Sequence, residues 1–274
     1  MNLLVESYNM KEFAACAASL TIGLSLGLIG AGGSILTIPV FVYILEKDPV
    51  SSSIYSMFIV GLSSMIGSIK SMISGLIDFK VAILFGIPSV IGVLIARKLL
   101  FPSIPMQLAS IGSFVLSKEI LLMLCLSVLM FLAGIKMLRS PNYNEPAIGT
   151  GKVVNTGLLL TRGLLVGIIT GLLGIGGGFL IVPALYLYSK LPMKMAIGTA
   201  LLLITLNSLI SFLTSYTSIP IDWVLLIKFS LGSILGILIG TKLSEKISGN
   251  YLKKMIGWFV LTISFYIVYK QFFL

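Results

Sequence analysis

Histidine is absent from this chain of 274 residues, cysteine occurs only twice, and 9 acidic residues stand against 19 basic ones. Without histidine there is no HExxH pair, no His-based zinc site and no imidazole general base. Cys16 and Cys125 lie in separate apolar segments with no CxxC spacing. They build no disulfide framework, and each is expected to pack as a small hydrophobe. Charged residues make up 10% of the chain, where a soluble domain carries roughly 25%. So few charges cannot coat a soluble surface of this size, and a soluble enzyme is excluded. No carboxylate falls in the middle of an apolar run, so an obvious buried proton relay is missing as well.

What is present is apolar. Hydrophobic residues form 57% of the chain and mean hydropathy is +1.11. At about 20 residues per span the length accommodates about eight transmembrane helices and little else. The formal charge of +10 is scattered over the ends of apolar runs, the pattern of loops that meet anionic headgroups rather than of a nucleic-acid surface. The N-terminal dozen carries Glu6 and Glu12 against Lys11. That is the wrong charge for the start of a cleaved signal peptide, so the first apolar segment is expected to stay in the protein.

Apolar runs lie near residues 13–45, 51–76, 79–100, 118–138, 155–190, 194–217, 221–243 and 251–273. The most polar stretch, Arg139 to Asn155, divides them four and four. Sliding the chain by 144 residues lays GLIGAGGSILTIP (from Gly27 to Pro39) over GLLGIGGGFLIVP (from Gly171 to Pro183), with seven of thirteen positions identical. At the same offset GVLIARKLL from Gly92 lies over GILIGTKLS from Gly236, and Asp78 over Asp222. Glycines, a proline, a lysine and an aspartate held in register are hard to obtain by composition alone. The sequence therefore predicts an all-α polytopic membrane protein made of a first transmembrane repeat (1–138), a polar linker (139–154) and a second repeat (155–274). An additional amphipathic stretch from Phe101 to Ser117 belongs to the first.

The first segment of each repeat runs to about 33 residues, or ~50 Å as continuous helix, against a hydrocarbon core of ~30 Å. The glycine clusters Gly30/Gly32/Gly33 and Gly174/Gly176/Gly177/Gly178 should break these helices, with Pro39 and Pro183 downstream. Crossing once, the broken segments would make the repeats parallel; as re-entrant hairpins they would make them inverted. Counting loop cations does not choose between the two. Irregular backbone survives at membrane depth only where protein or a cavity surrounds it. Paired breaks in the two halves of a duplicated membrane chain point to a transporter's substrate site. Free backbone amides there, with Ser34 in the same turn, would attract an anion.

Hydroxyls and amides inside the segments are the next candidates. A shift of 143 lays Ser56 over Thr199 and Ser64 over Asn207, and these four could hydrogen-bond an oxyanion, although interhelical hydrogen bonding explains the serines equally well. Gly198, just before Thr199, is a gate or structural candidate with the two prolines. Lys70 and Arg162 are candidate vestibule cations, with snorkelling to the interface as the alternative. Asp78 and Asp222 read as helix N-caps.

The two GxGG–proline motifs, and Ala196-Ile197-Gly198-Thr199 after the second, resemble those of the sulfite exporter TauE/SafE family. The resemblance extends over nearly the whole chain. It implies a multi-pass transporter of sulfite or organosulfonates in a prokaryotic plasma membrane, with motif residues at Gly30, Gly32, Gly33, Pro39, Gly174, Gly176, Gly177, Pro183, Gly198 and Thr199. The first repeat has Ser53-Ile54-Tyr55-Ser56 where the second has the A-x-G-T element. The expected partners are a small anion and the lipid bilayer, with a homo-oligomer left open, no nucleic acid and no cofactor. Alternating access is the leading mechanism. An anion channel shares the anion site, while a non-transporting subunit or an intramembrane enzyme fits less well, since no catalytic constellation is present.

Overall fold

The computed structural model describes residues 17–30, 33–100, 103, 107–111, 114–140, 156–173 and 178–273. Helix α1 covers Ala17–Ile29, α2 Gly33–Pro39 with a π-turn over Val40–Ile44, α3 Pro49–Ile73, and α4 Phe79–Ile95 with a π-turn over Ala96–Leu100. Strands β1 (Gln107–Ile111) and β2 (Phe114–Ser117) follow, then α5 (Lys118–Arg139). The later part of the chain runs through α6 (Thr156–Leu173), α7 (Gly178–Ala184) with a π-turn over Leu185–Ser189, α8 (Met193–Ser215), α9 (Trp223–Lys246) and α10 (Gly249–Phe273). Among the described residues five helical stretches are long and apolar enough to cross a membrane: Val50–Ile73, Phe79–Leu100, Met193–Ser215, Trp223–Lys246 and Gly249–Tyr269. Of the eight anticipated segments, the two that begin the repeats are divided into shorter helices, as the glycines require.

The stretch before α5 departs from the all-helical expectation. Gln107–Ile111 and Phe114–Ser117 pair as an antiparallel hairpin, with Ile111 opposite Phe114. Gly112-Ser113 between them is a two-residue hairpin loop sequence, a signal that the amphipathic reading passed over.

Close helix packing follows the small residues. A Cβ on Gly23 of α1 would collide with the carbonyl of Ser233 in α9, and a Cβ on Gly236 with the carbonyl of Leu20. A Cβ on Gly167 of α6 would likewise meet the carbonyl of Ser89 in α4, and one on Gly92 the carbonyl of Leu164. Each residue of the first set lies 144 positions from its counterpart in the second. Lipid tails are as apolar as side chains, so helices in a bilayer associate through such contact and through interhelical hydrogen bonds. Helix α1 thus runs parallel to α9, and α6 parallel to α4; each partner comes from the other half of the chain.

Matching helices, by contrast, meet antiparallel. In the α3–α8 pair Gly61 packs on Leu209 and Gly67 on Leu201. In the α5–α10 pair Gly134 packs on Leu261 and Gly257 on Leu138. These last positions are 123 residues apart, so the offset shortens by 21 across the hairpin region. The exposed apolar rows match too: Ile83, Ile87 and Ile91 on α4, and Ile227, Leu231 and Leu235 on α9, are all between 47% and 58% exposed. On a protein in water such rows would be a liability; facing lipid they cost nothing.

We call the face where α3 begins the near face, and the face where it ends the far face. Gly27 packs on Thr241 near the end of α9, and Gly30 on Ile197 near the start of α8, both toward the far face. Phe41 packs on Tyr55 and Phe229, near the starts of α3 and α9. The chain therefore goes to the far face in α1, breaks, and returns through α2 and its π-turn. Gly30 has φ 68°, which an L side chain rarely adopts. Two non-glycine residues, Glu46 (φ 53°) and Lys190 (φ 54°), take the left-handed conformation after the two π-turns, again 144 positions apart.

Asp48 caps α3, its carboxylate accepting the N–H groups of Val50 and Ser51 at 3.0 and 2.9 Å. Hydrogen bonds from Ser51, side chain first, hold its carboxyl below the ordinary value. The cap's contribution is therefore complete above the unfolded carboxyl pKa of about 3.9 and is lost as pH falls through the lower folded value. Asp48→Ala should cost about 1 kcal/mol and Asp48→Asn only a few tenths at neutral pH, with Asn removing this acid-dependent part; thermal melts of the purified variants between pH 3 and 7 check this. Gly23→Ile and Gly167→Ile should each separate a helix pair and abolish a monodisperse gel-filtration peak, whereas Gly75→Asn, at φ 68° with open space around it, should keep it.

Candidate functional site

The residues that flank the first helix break abut the centre of the bundle. Gly33 opens α2 tucked between the side chains of Leu26 and Val60, while Gly30 faces Val182 of α7 and Ile197 of α8. The short helices α2 and α7 contact one another directly. Gly178 opens α7, and Pro183 lies inside it. Pro39 is the last residue of α2. Ser34 belongs to α2, but its side chain lies outside the described residues, as do Gly32, Gly174, Gly176 and Gly177, Cys16 and the side chain of Cys125.

The polar candidates separate into different depths. Thr199 is toward the far face, where its Oγ1 accepts the backbone N–H of Asp78 at 3.0 Å. Gly198 lets the Leu76 carbonyl come within what would be contact of a Cβ, which holds α8 against the α3–α4 turn. In the middle, Ser64 donates to the Val60 carbonyl (2.6 Å) and accepts from Thr205 (3.0 Å). The Asn207 amide donates through Nδ2 to Ser89 Oγ at 2.9 Å, and its Oδ1, fully buried, has no hydrogen-bond partner among the described residues. Ser56, toward the near face, also has a buried hydroxyl without a partner among the described residues. Leaving such a group unsatisfied costs about 1–3 kcal/mol, so these two positions are where a ligand or water gains most.

The cations differ from expectation in one case. Lys70 donates to Thr241 Oγ1 at 2.8 Å and lies 3.9 Å from Glu245, bridging α3 to α9 near the far face. Arg162 stacks on the Tyr188 ring, 3.8 Å from its centroid. That contact anchors α6 to the π-turn after α7 and turns the guanidinium to an aromatic face. Asp78 and Asp222 are N-caps as anticipated, accepting from Val81 and Leu225.

Four residues that the 143 shift passed over become visible in the contacts. The Asp78 N–H to Thr199 bond is matched by an Asp222 N–H to Tyr55 hydroxyl bond at 3.0 Å, and the Asn207–Ser89 bond by a Ser63–Ser233 bond at 2.8 Å. All four pairings agree with an offset of 144. Tyr55 and Ser63, not Ser56 and Ser64, are thus the counterparts of Thr199 and Asn207. The glycine–proline motifs already carried that offset; extending it unchanged into α3 and α8 would have found the pairs. Polar side chains cross-link α3 to α8 and α9, and α8 to α4, and one amide exceeds what its partner satisfies.

A bundle of apolar helices with lipid-facing rows, two internal helix breaks and a buried polar seam defines a multi-pass membrane protein. Residues 15–267 match the family described as sulfite exporter TauE/SafE, and the chain belongs to that family. It is 28% identical over 257 residues to a "Probable membrane transporter protein" of Xylella fastidiosa (strain 9a5c), covering 91% of this chain and 92% of that one. A protein of the same description from Methanocaldococcus jannaschii is 27% identical, with 86% and 87% covered. "Probable membrane transporter protein YunE" of Bacillus subtilis (strain 168) is 25% identical, with 90% and 93% covered. No solved structure matches the chain. The family and these relatives are named for membrane transport.

Asn207→Ser retains a hydroxyl for Ser89 and removes the unpartnered Oδ1, reproducing what Ser63 does in the other half. It should leave the thermal midpoint within a few degrees of wild type and lower transport in proteoliposomes by about tenfold, the loss of one hydrogen bond to a charged group. Unchanged transport would reduce Asn207 to an interhelical strut.

Proposed function

We propose that this protein is a secondary carrier of small anions, sulfite or organosulfonates, in a prokaryotic plasma membrane, built from two inverted repeats whose broken helices hold the substrate. The observation that carries this reading is the pair of helix breaks at equivalent positions, one in each half, with the short helices α2 and α7 in contact. The antiparallel meeting of α3 with α8 and of α5 with α10 supports the inverted arrangement. A break at membrane depth exposes backbone amides that need a partner, and amides at the start of a helix favour negative charge. The stretches 30–34 and 174–178 supply these amides, Asn207, Thr199, Ser56 and Ser64 line the seam between them, and Lys70 draws the anion toward the far face. Pro39, Pro183 and Gly198 shape the moving parts.

Alternating access in such a carrier would not be one sequence half rocking on the other. Repeats 1–138 and 155–274, joined by the linker 139–154, exchange partners: α1 is held to α9 and α6 to α4 through contacts that admit no Cβ. Those pairs travel as bodies, and the α2 and α7 hairpin arms, held by side-chain contacts, are the elements free to shift.

Purified protein in liposomes should give saturable counterflow of labelled sulfite, with sulfate and small sulfonates ranked as competitors. Gly33→Leu, which would force a side chain between Leu26 and Val60, should abolish that flux while the protein remains in the membrane. No counterflow of sulfite or any sulfonate would reject the carrier reading, and flux that neither saturates nor responds to trans substrate would replace it with a channel.

A further inference from the structure

The loop cations divide unequally between the two faces. At the far face Lys80 lies at the start of α4, and Lys136 and Arg139 close α5. Lys190 precedes α8 and Lys194 lies in its first turn; Lys242 and Lys246 end α9, and Lys253 and Lys254 lie in the first turns of α10. Contacts between these elements hold them together on one face. Lys136 lies over the Tyr188 ring at 5.6 Å, Lys194 donates to the Glu245 carbonyl at 2.8 Å, and Lys253 donates to the Ser140 carbonyl at 2.9 Å. Lys194 is half-buried and Lys253 buried, while the other seven are exposed. The described acids of this face are Asp78, the cap of α4, and Glu245, 3.9 Å from Lys70. At the near face the described loop cations are Lys47, Arg97, Lys98, Lys118 and Lys270, accompanied by Glu46, Asp48, Glu119 and Asp222. Arg97 points inward, its guanidinium donating to Met57 Sδ of α3 at 3.6 Å. The stretch from Phe101 to Ser117, between the near-face ends of α4 and α5, contains no charged residue. Among the described residues the far face thus sets nine loop cations against two acids, and the near face five against four.

Resting on the plasma-membrane location proposed above, we propose that the far face is the cytoplasmic face, with its exposed basic side chains set among the anionic phospholipid headgroups of that leaflet. Lysine and arginine close to the ends of membrane spans set orientation, whereas acids contribute little. A membrane potential that is negative inside opposes their passage outward, and anionic headgroups attract them over about one Debye length. Cation counts alone leave the side open, because a first segment that crossed once would bring Lys47, Arg97, Lys98 and Lys118 to the side of the α9–α10 turn. The return of the chain through α2 places them opposite that turn. So does the parallel run of α3 with α9, fixed by the Tyr55–Asp222, Ser63–Ser233 and Lys70–Thr241 hydrogen bonds. The end of the bundle beside Lys70 then opens to the cytoplasm, and the turn between α8 and α9 lies outside.

Orientation is tested on the full chain in a bacterial host, with Cys16→Ser and Cys125→Ser as background and one cysteine added at an exposed turn: Thr217→Cys between α8 and α9, or Ser248→Cys between α9 and α10. A membrane-impermeant maleimide should label Thr217→Cys in intact spheroplasts and Ser248→Cys only after permeabilisation; any other pattern overturns the orientation. Should either variant fail to accumulate, a fluorescent protein fused after α10 decides, since it stays dark when exported and a bright fusion would overturn the assignment. The headgroup contact is tested with purified wild type and the triple variant Lys242→Gln, Lys246→Gln, Lys254→Gln in phosphatidylcholine nanodiscs with and without phosphatidylglycerol. Phosphatidylglycerol should raise the wild-type thermal midpoint by a few degrees, an effect that fades at high salt, and the triple variant should lose at least half of the gain. Equal wild-type midpoints in the two lipids, or an undiminished gain in the triple variant, would overturn the contact. Neither measurement involves transport, so failure here leaves the carrier reading intact, and absent counterflow of sulfite and sulfonates leaves this assignment intact.

Discussion

Backbone amides and carbonyls must find partners inside the protein when no water is near, and each one left in hydrocarbon costs several kcal/mol. The arrangement of this chain follows from that constraint. Long helices satisfy it locally and can face lipid with rows such as Ile83, Ile87 and Ile91. Broken helices cannot, and the residues flanking the first break lie inside the bundle: Gly30 and Gly33 are packed by Val182, Ile197, Leu26 and Val60, and α2 touches α7.

What keeps the inward-turned elements in place is close contact of backbone with backbone. Gly23 on Ser233 and Gly167 on Ser89 bring helices nearer than any side chain would allow, and the serines at those points then turn their hydroxyls to Ser63 and Asn207. Each such interhelical hydrogen bond contributes about 0.6 kcal/mol in a membrane, so their number and register matter more than any one of them. Because the partners cross between the halves of the chain, neither half forms a packing unit alone.

The polar seam is not symmetric. Where one half has Ser63 and Tyr55, the other has Asn207 and Thr199, and where one has Thr241 the other has Arg97.

Much of this was written in the order of the residues. Composition alone required a membrane, the glycine clusters located the breaks, and Asp78 and Asp222 announced their helices through the ordinary geometry of an N-cap. The repeat of 144 was legible in the motifs, yet applying 143 to α3 and α8 paired Ser56 and Ser64 with the wrong partners, since runs of similar small polar residues tolerate a slip that glycines do not. The hairpin at Gln107–Ser117 was signalled by Gly112-Ser113 but obscured by the apolar composition around it. Only the tertiary structure decided that the broken segments turn back, that α1 seeks α9 and α6 seeks α4, that Arg162 stacks on Tyr188, and that Arg97 points inward. These are contacts between residues far apart in the chain. Hydropathy and periodicity record which side of a helix avoids water, but in a bilayer nearly every side does, so the choice of neighbour is left to shape.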